Sequence, residues 1–350
     1  MNRIFTVVLV VIELFIFLCA CGGAQTPPSP PAAAPSSSSA EEMPSAALCM
    51  SVVNHPTHRL VQLGFLETAE ELGYEGRVLG LAEGTAQQVH DEWLRGAKEY
   101  GISGAAFWGG GDAGYETIKE LHGMGVKTVA MHSLHDYWTT KDFIDVTAHS
   151  DWRQAVLDAG EYLMNCLRED GVLSGSIGIS LTGPGPTFEE IHSLYTYFET
   201  YYPEYDILDC VYPGSGQAVA EKAVTEYITS HPDMVGALGM TGNSAPAWAR
   251  AKSETGREDI VVVATSFMPE NLDALASGGV DALLGQSLYE AGSVGLELID
   301  SLLQGAVYQE EEEQWHCELD IRIVIKDGQG QNGAAYYNAM YARSAARFGS

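Results

Sequence analysis

The chain has 350 residues, with 47 Asp and Glu against 18 Lys and Arg, a formal net charge of −29. Nucleic-acid binding needs a basic face to neutralise phosphate, so this balance excludes that class, and it argues against docking of the folded part on an anionic membrane surface. Hydrophobic residues make up 46% of the chain, enough for the cores of two compact lobes but not for many domains.

The first 46 residues concern location. Arg3 precedes an apolar run from Ile4 to Phe17, then Leu18-Cys19-Ala20-Cys21 and a Gly pair. Positive, apolar, then small is the order of an export signal. The Leu-x-Ala-Cys ending of residues 1–21 resembles the lipobox of bacterial lipoproteins, which implies that Cys21 carries the lipid anchor. Residues 22–46, rich in Pro, Ser and Ala, suit a semi-extended tether from the membrane. Glu13 is a costly charge inside the apolar run; without cleavage the same segment reads as a membrane anchor, and both readings put the remainder outside the cytoplasm.

Short apolar runs then alternate with helical patterns. The runs are Ala47–Val53, Arg77–Leu81, Gly104–Trp108, Thr128–His132, Ser176–Ser180, Asp206–Tyr212, Val235–Met240, Ile260–Ser266 and Ala282–Ser287. Their nearly continuous apolar character predicts parallel strands covered on both faces. Between them Val61, Phe65, Ala69 and Leu72 exemplify one helical face, closed by Gly73. Strand then helix, repeated, predicts a doubly wound α/β protein. Nine units exceed one ordinary sheet, so two lobes are more economical. The break falls near Thr147–Asp151, after a loop over His135–Asp145. A last strand is predicted at Asp320–Ile325, and residues 327–350 are expected to form a loosely packed extension. Cys49, Cys166, Cys210 and Cys317 lack zinc-ligand spacing and read as buried free thiols, without a structural disulfide.

Four motifs in order carry a family resemblance. Asn54-His55-Pro56-Thr57-His58 leads into a helix bearing Gly64-Phe65 and ending Glu71-Leu72-Gly73-Tyr74. Gly104–Trp108 is followed by Gly125–His132. Ser230-His231-Pro232-Asp233-Met234-Val235 leads into a strand, and Gly285-Gln286 precedes a helix ending Leu302-Leu303-Gln304-Gly305. Over Leu48–Ile325 the chain resembles the type I periplasmic substrate-binding proteins of bacterial sugar ABC transporters, the ribose and galactose-binding group. The resemblance implies two Rossmann-like, doubly wound lobes, 47–147 with 288–315 and 148–287 with 316–326, joined by a three-strand hinge, with a ligand held between them. Independently, open α/β sheets bind ligands at the carboxyl ends of their strands.

Carried over residue by residue, the resemblance places ligand contacts at His55, Thr57 and His58, at His132 and Ser133, at Glu189 or Glu190, at Thr241 or Asn243, at Ser266 and at Gln286. Only Gln286 matches the family pattern outright. Thr57 and His58 stand where aromatic residues are usual, and His132-Ser133 replaces a charged Asp-Arg pair. The resulting set is mainly neutral and hydrogen-bonds in both directions, which suits a sugar or neutral polyol. Trp108 is the expected platform for an apolar ring face, with Phe267 next.

The expected activity is capture of such a ligand for an ABC transporter permease, by a monomer needing no cofactor or metal. A ligand sensor for a membrane kinase or chemoreceptor is the alternative from another class. An extracytoplasmic hydrolase lacks support: there is no Gly-x-Ser-x-Gly elbow or His-Glu-x-x-His helix. Gly109-Gly110-Gly111 has no Lys, Ser or Thr at P-loop spacing and reads as a permissive turn.

Overall fold

The structure, a computed structural model, describes residues 43–109, 114–132, 135–181, 186–214 and 216–349, without side-chain detail over 186–191. The export signal, the Cys21 anchor and nearly all of the tether lie outside the described residues. The first strand starts at Ser45, so the tether ends short of the expected residue 46.

One sheet contains β1 (Ser45–Met50), β2 (Glu75–Leu79), β3 (Gly104–Trp108), β4 (Lys127–Met131), β5 (Val146–His149) and β11 (His316–Glu318). The other contains β6 (Gly175–Leu181), β7 (Tyr205–Ile207), β8 (Met234–Met240), β9 (Val261–Thr265), β10 (Ala282–Gln286) and β12 (Ile321–Ile325). Their orders, β2-β1-β3-β4-β5-β11 and β7-β6-β8-β9-β10-β12, are the same winding executed twice. All pairings are parallel except β10 with β12. Sequence follows position: β1, β3 and β9 are buried throughout, whereas the edge strand β2, with Glu75 and Arg77, buries only Leu79.

The helices are α1 (Pro56–Leu72), α2 (Ala86–Tyr100), α3 (Tyr115–Gly123), α4 (Tyr137–Thr140), α5 (Trp152–Glu169), α6 (Pro186–Tyr201), α7 (Gln217–Ser230), α8 (Ser244–Thr255), α9 (Pro269–Ser277), α10 (Leu288–Leu303), α11 (Glu312–Trp315) and α12 (Ala334–Phe348). Four apolar clusters form the cores, one for each face of each sheet. Trp93, Trp248 and Trp315 are fully buried in them, and their indole N–H groups donate to Met50 O, Ser180 Oγ and Ile144 O. That satisfies the single polar atom each brings into apolar surroundings. Helices α1 and α10 approach so closely that a Cβ on Gly64 would sit 1.9 Å from the Tyr289 carbonyl oxygen.

The chain passes between the sheets three times: after His149, after Gln286 and after Glu318. Three boundaries differ from expectation. Strand β5 follows the expected loop and occupies the start of the expected break, four residues long and so too short for its periodicity to register. His316–Glu318 pairs with β5 in the first sheet, so the last crossover comes after residue 318 rather than before 316. Residues beyond 327 are not loosely packed: α12 buries Tyr337, Met340 and Ser344. It rests on α9 of the second lobe, and Arg343 and Arg347 pair with Glu67 and Glu70 of α1 in the first. All four cysteines named above are free; Cys49 is buried, whereas Cys166, Cys210 and Cys317 are half-buried.

Candidate functional site

The carboxyl ends of both sheets open into one cleft of about 1370 Å³, roomy enough for a small polar ligand. Its walls are built by the turns that leave the strands. Leaving β1, the chain makes an N-terminal turn in which the Thr57 N–H donates to His55 Nδ1 at 3.3 Å, while Pro56 opens α1. The His58 Nδ1–H donates to the Val52 carbonyl at 2.7 Å, leaving Nε2 as the acceptor. Thr57 and His58 line the cleft. His55 instead holds the turn, its ring 5.0 Å from that of His58.

His132 ends β4 and Ser266 ends β9, the fourth strand of each sheet order. Among the described residues they are the two non-glycine positions with left-handed backbone, at φ 76° and 79°. Each is held by the same device: His132 N–H donates to Ala148 O at 3.0 Å, and Ser266 N–H to Leu284 O at 2.8 Å, both in the next strand of the sheet. Such backbone costs about 1–2 kcal/mol for an ordinary residue and collects at functional sites. Both residues line the cleft.

Gln286, 7% exposed, stands where the chain crosses between sheets. Its Nε2 donates to Ser150 Oγ at 2.8 Å, on another crossover, and its side chain also bonds His132. One amide thereby ties two crossovers to the strained end of β4. Burial lowers the His132 pKa, the nearby His58 adds to that, and the Gln286 bond opposes it. Burial likewise lowers His58, with the Val52 bond opposing. A second imidazole pair, His149 and His316, lies 4.8 Å apart between ring centres; both are lowered first by burial. The Nδ1 of His149 is buried without a partner among the described residues. At neutral pH the cleft therefore presents uncharged imidazoles, hydroxyls and an amide, able to accept and donate, beside the charged side chains of Asp151, Arg153, Glu313 and Glu318.

Trp108 lines the cleft but is 3% exposed, because the His132 ring stacks on it at 4.6 Å and 21°. Its open face, expected from the sequence as a ligand platform, is taken by its own neighbour. Phe267, 5% exposed, packs on Tyr337 of α12 at 4.2 Å. Asn243 caps α8 and accepts from the Thr241 hydroxyl at 2.9 Å, outside the residues that line the cleft. Ser133 lies outside the described residues, as does the side chain of Glu189. Among the described residues no three His, Cys, Asp or Glu groups are arranged to hold a metal ion, and no helix is long and apolar enough to cross a membrane.

Sequence reasoning missed the segment His149–Arg153, all five residues of which line the cleft. The junction at Thr147–Asp151 was legible as a lobe boundary. A crossover between two lobes necessarily passes the cleft, and that was the available signal.

Residues 46–306 match the model of the periplasmic binding protein domain. The fold is similar to an arabinose-binding protein, AraP, from Geobacillus stearothermophilus: TM-score 0.70, 15% identity, covering 81% of this chain and 97% of that one. It is similar to the sugar-binding protein of a sugar ABC transporter from Bacillus halodurans, with TM-score 0.70, 17% identity, and coverage of 84% and 99%. A solute-binding protein from Agrobacterium vitis with bound D-fucose gives TM-score 0.64, 16% identity, and coverage of 83% and 99%. Two sheets of one winding, three crossovers, a cleft at their carboxyl ends and a family match over most of the chain lead to one assignment: the chain belongs to the periplasmic binding protein domain family.

Proposed function

We propose that this chain captures a sugar or related neutral polyol in the cleft between its lobes and delivers it to an ABC transporter permease. The observation that carries this reading is the matched pair His132 and Ser266, strained residues at equivalent strand ends of the two sheets, lining one cleft with other imidazoles, hydroxyls and an amide that bond in both directions. A polyol, whose hydroxyls both donate and accept, is the complement of such a surface. The arabinose named for one structural neighbour and the D-fucose bound in another support the class. Family membership implies work outside the cytoplasm. In our reading Cys21 bears the lipid that keeps the protein at the membrane, the protein acts as a monomer, and it binds and releases its ligand unchanged, without metal or cofactor.

Thr57, His58, His132, Ser266 and Gln286 are the contacts proposed from the cleft, joined by Ser133, Glu189 and Asn243 from the family pattern. The test is thermal unfolding of the chain against a panel of sugars, polyols and nucleosides. A ligand bound only by the folded form stabilises it by about 2.7 kcal/mol at a hundredfold excess over Kd. A selective rise in midpoint with one sugar supports the reading. A well-folded protein that responds to no sugar or polyol removes it.

A further inference from the structure

The cleft is lined by three large aromatic side chains: Trp108, Trp152 and Phe267. Two are already engaged, Trp108 under His132 and Phe267 on Tyr337. Trp152 is different. It is half-buried, its body rests on the core of the second lobe, and among the described residues it has neither a ring partner nor an acceptor for its indole N–H. An indole with one apolar face and an unused donor in a polar cleft is suited to a ring that is apolar on one face and hydroxylated at its rim.

Among the described residues its neighbour Arg153 is the one Lys or Arg side chain lining the cleft, and it is exposed. It makes no ion pair or hydrogen bond among the described residues.

Arg153 also sits in the first turn of α5, beside the positive end of the helix dipole, where a cation is unfavourable. An unpaired cation lining a cleft is free to meet a ligand that arrives from outside.

We infer that Trp152 and Arg153 form a ligand-contacting pair, Trp152 stacking on the apolar face of the bound sugar ring and Arg153 donating to its oxygens. This rests on the sugar-capture reading. It supplies from the crossover into α5 what the sequence lacks at His132-Ser133, a charge-assisted donor, and at Trp108, an open ring face.

The experiment is calorimetric titration of the full chain with D-arabinose, D-fucose and D-allose, comparing the parent with Trp152→Ala, Trp152→Phe, Arg153→Gln and Arg153→Lys. Trp138→Ala, altering a 70% exposed side chain that does not line the cleft, is the control. For a sugar that the parent binds, Trp152→Ala and Arg153→Gln are expected to weaken Kd about tenfold or more. Trp152→Phe retains most of the affinity, and Trp138→Ala matches the parent. Ligand-induced change in tryptophan fluorescence should fall in Trp152→Phe, a signature that mere loss of packing does not produce. If Trp152→Ala proves poorly folded by near-ultraviolet circular dichroism, Trp152→Phe and Arg153→Gln decide. Parental affinity in both Trp152→Ala and Arg153→Gln overturns the pair and leaves sugar capture standing. A folded parent that binds none of these sugars, nor any in the thermal panel, overturns both.

Discussion

Replacing Gln286 by Leu tests the polar tie at the centre of the molecule. The side chain is almost wholly buried, donates to Ser150 Oγ at 2.8 Å and bonds His132. Leu fills a similar volume but makes neither bond. Each lost hydrogen bond is worth about 1 kcal/mol net, and the buried Ser150 hydroxyl, 7% exposed, loses its amide donor. The expected loss is about 2 kcal/mol, which in a protein of this size lowers the melting midpoint by roughly 4 °C. Because the Gln286 bond holds the His132 pKa up against burial, its removal should lower that pKa further. Urea denaturation measures the first effect and an NMR titration of the imidazoles the second. A stability loss under about 0.5 kcal/mol together with an unmoved His132 titration would refute the tie.

Three more outcomes follow from the geometry. His58, His90, His132, His149 and His316 all have pKa values lowered from 6.5, first by burial; the unfolded chain therefore binds more protons, and stability should be flat above about pH 6.5 and decline as pH falls below it. Urea midpoints across pH 5–8 check this, and a midpoint that rises on acidification contradicts it. Gly64→Ala drives a Cβ to 1.9 Å from the Tyr289 carbonyl, so α1 and α10 must separate at a cost of about 1–3 kcal/mol or more; a variant as stable as the parent would show that this contact is looser than described. Ser266→Gly relieves left-handed backbone, and the gain, about 1–2 kcal/mol, is partly offset by the extra freedom of glycine when unfolded; it should melt no lower than the parent while binding sugar more weakly, and unchanged affinity would count against Ser266 as a contact.

Much of the fold is legible because its strands are apolar on both faces and its helices are not. What escaped is short or tertiary. Strand β5 is four residues, and β11 three, below the length at which alternation or continuity can be recognised. Helix α12 carries Ala and Tyr in place of a strong apolar stripe, and its burial depends on the surface offered by α9 and Phe267. The candidate site was legible where it follows strand ends: Thr57, His58, His132, Ser266 and Gln286 all reach the cleft. Trp108 illustrates the limit. Nothing local in its sequence says that the residue ending the adjacent strand, 24 positions later, will lie flat upon its ring.

Helix α12 has a mechanical consequence. It is rooted by apolar contact in one lobe and joined to the other by arginine–carboxylate pairs at the surface. Any swing of the lobes must slide or break those pairs, while the apolar root stays put. Surface ion pairs are weakened by salt, with a screening length of about 8 Å at physiological ionic strength. The resting angle between the lobes should therefore loosen as the surrounding medium becomes saltier, making this helix a spring whose stiffness is set by the ions around it.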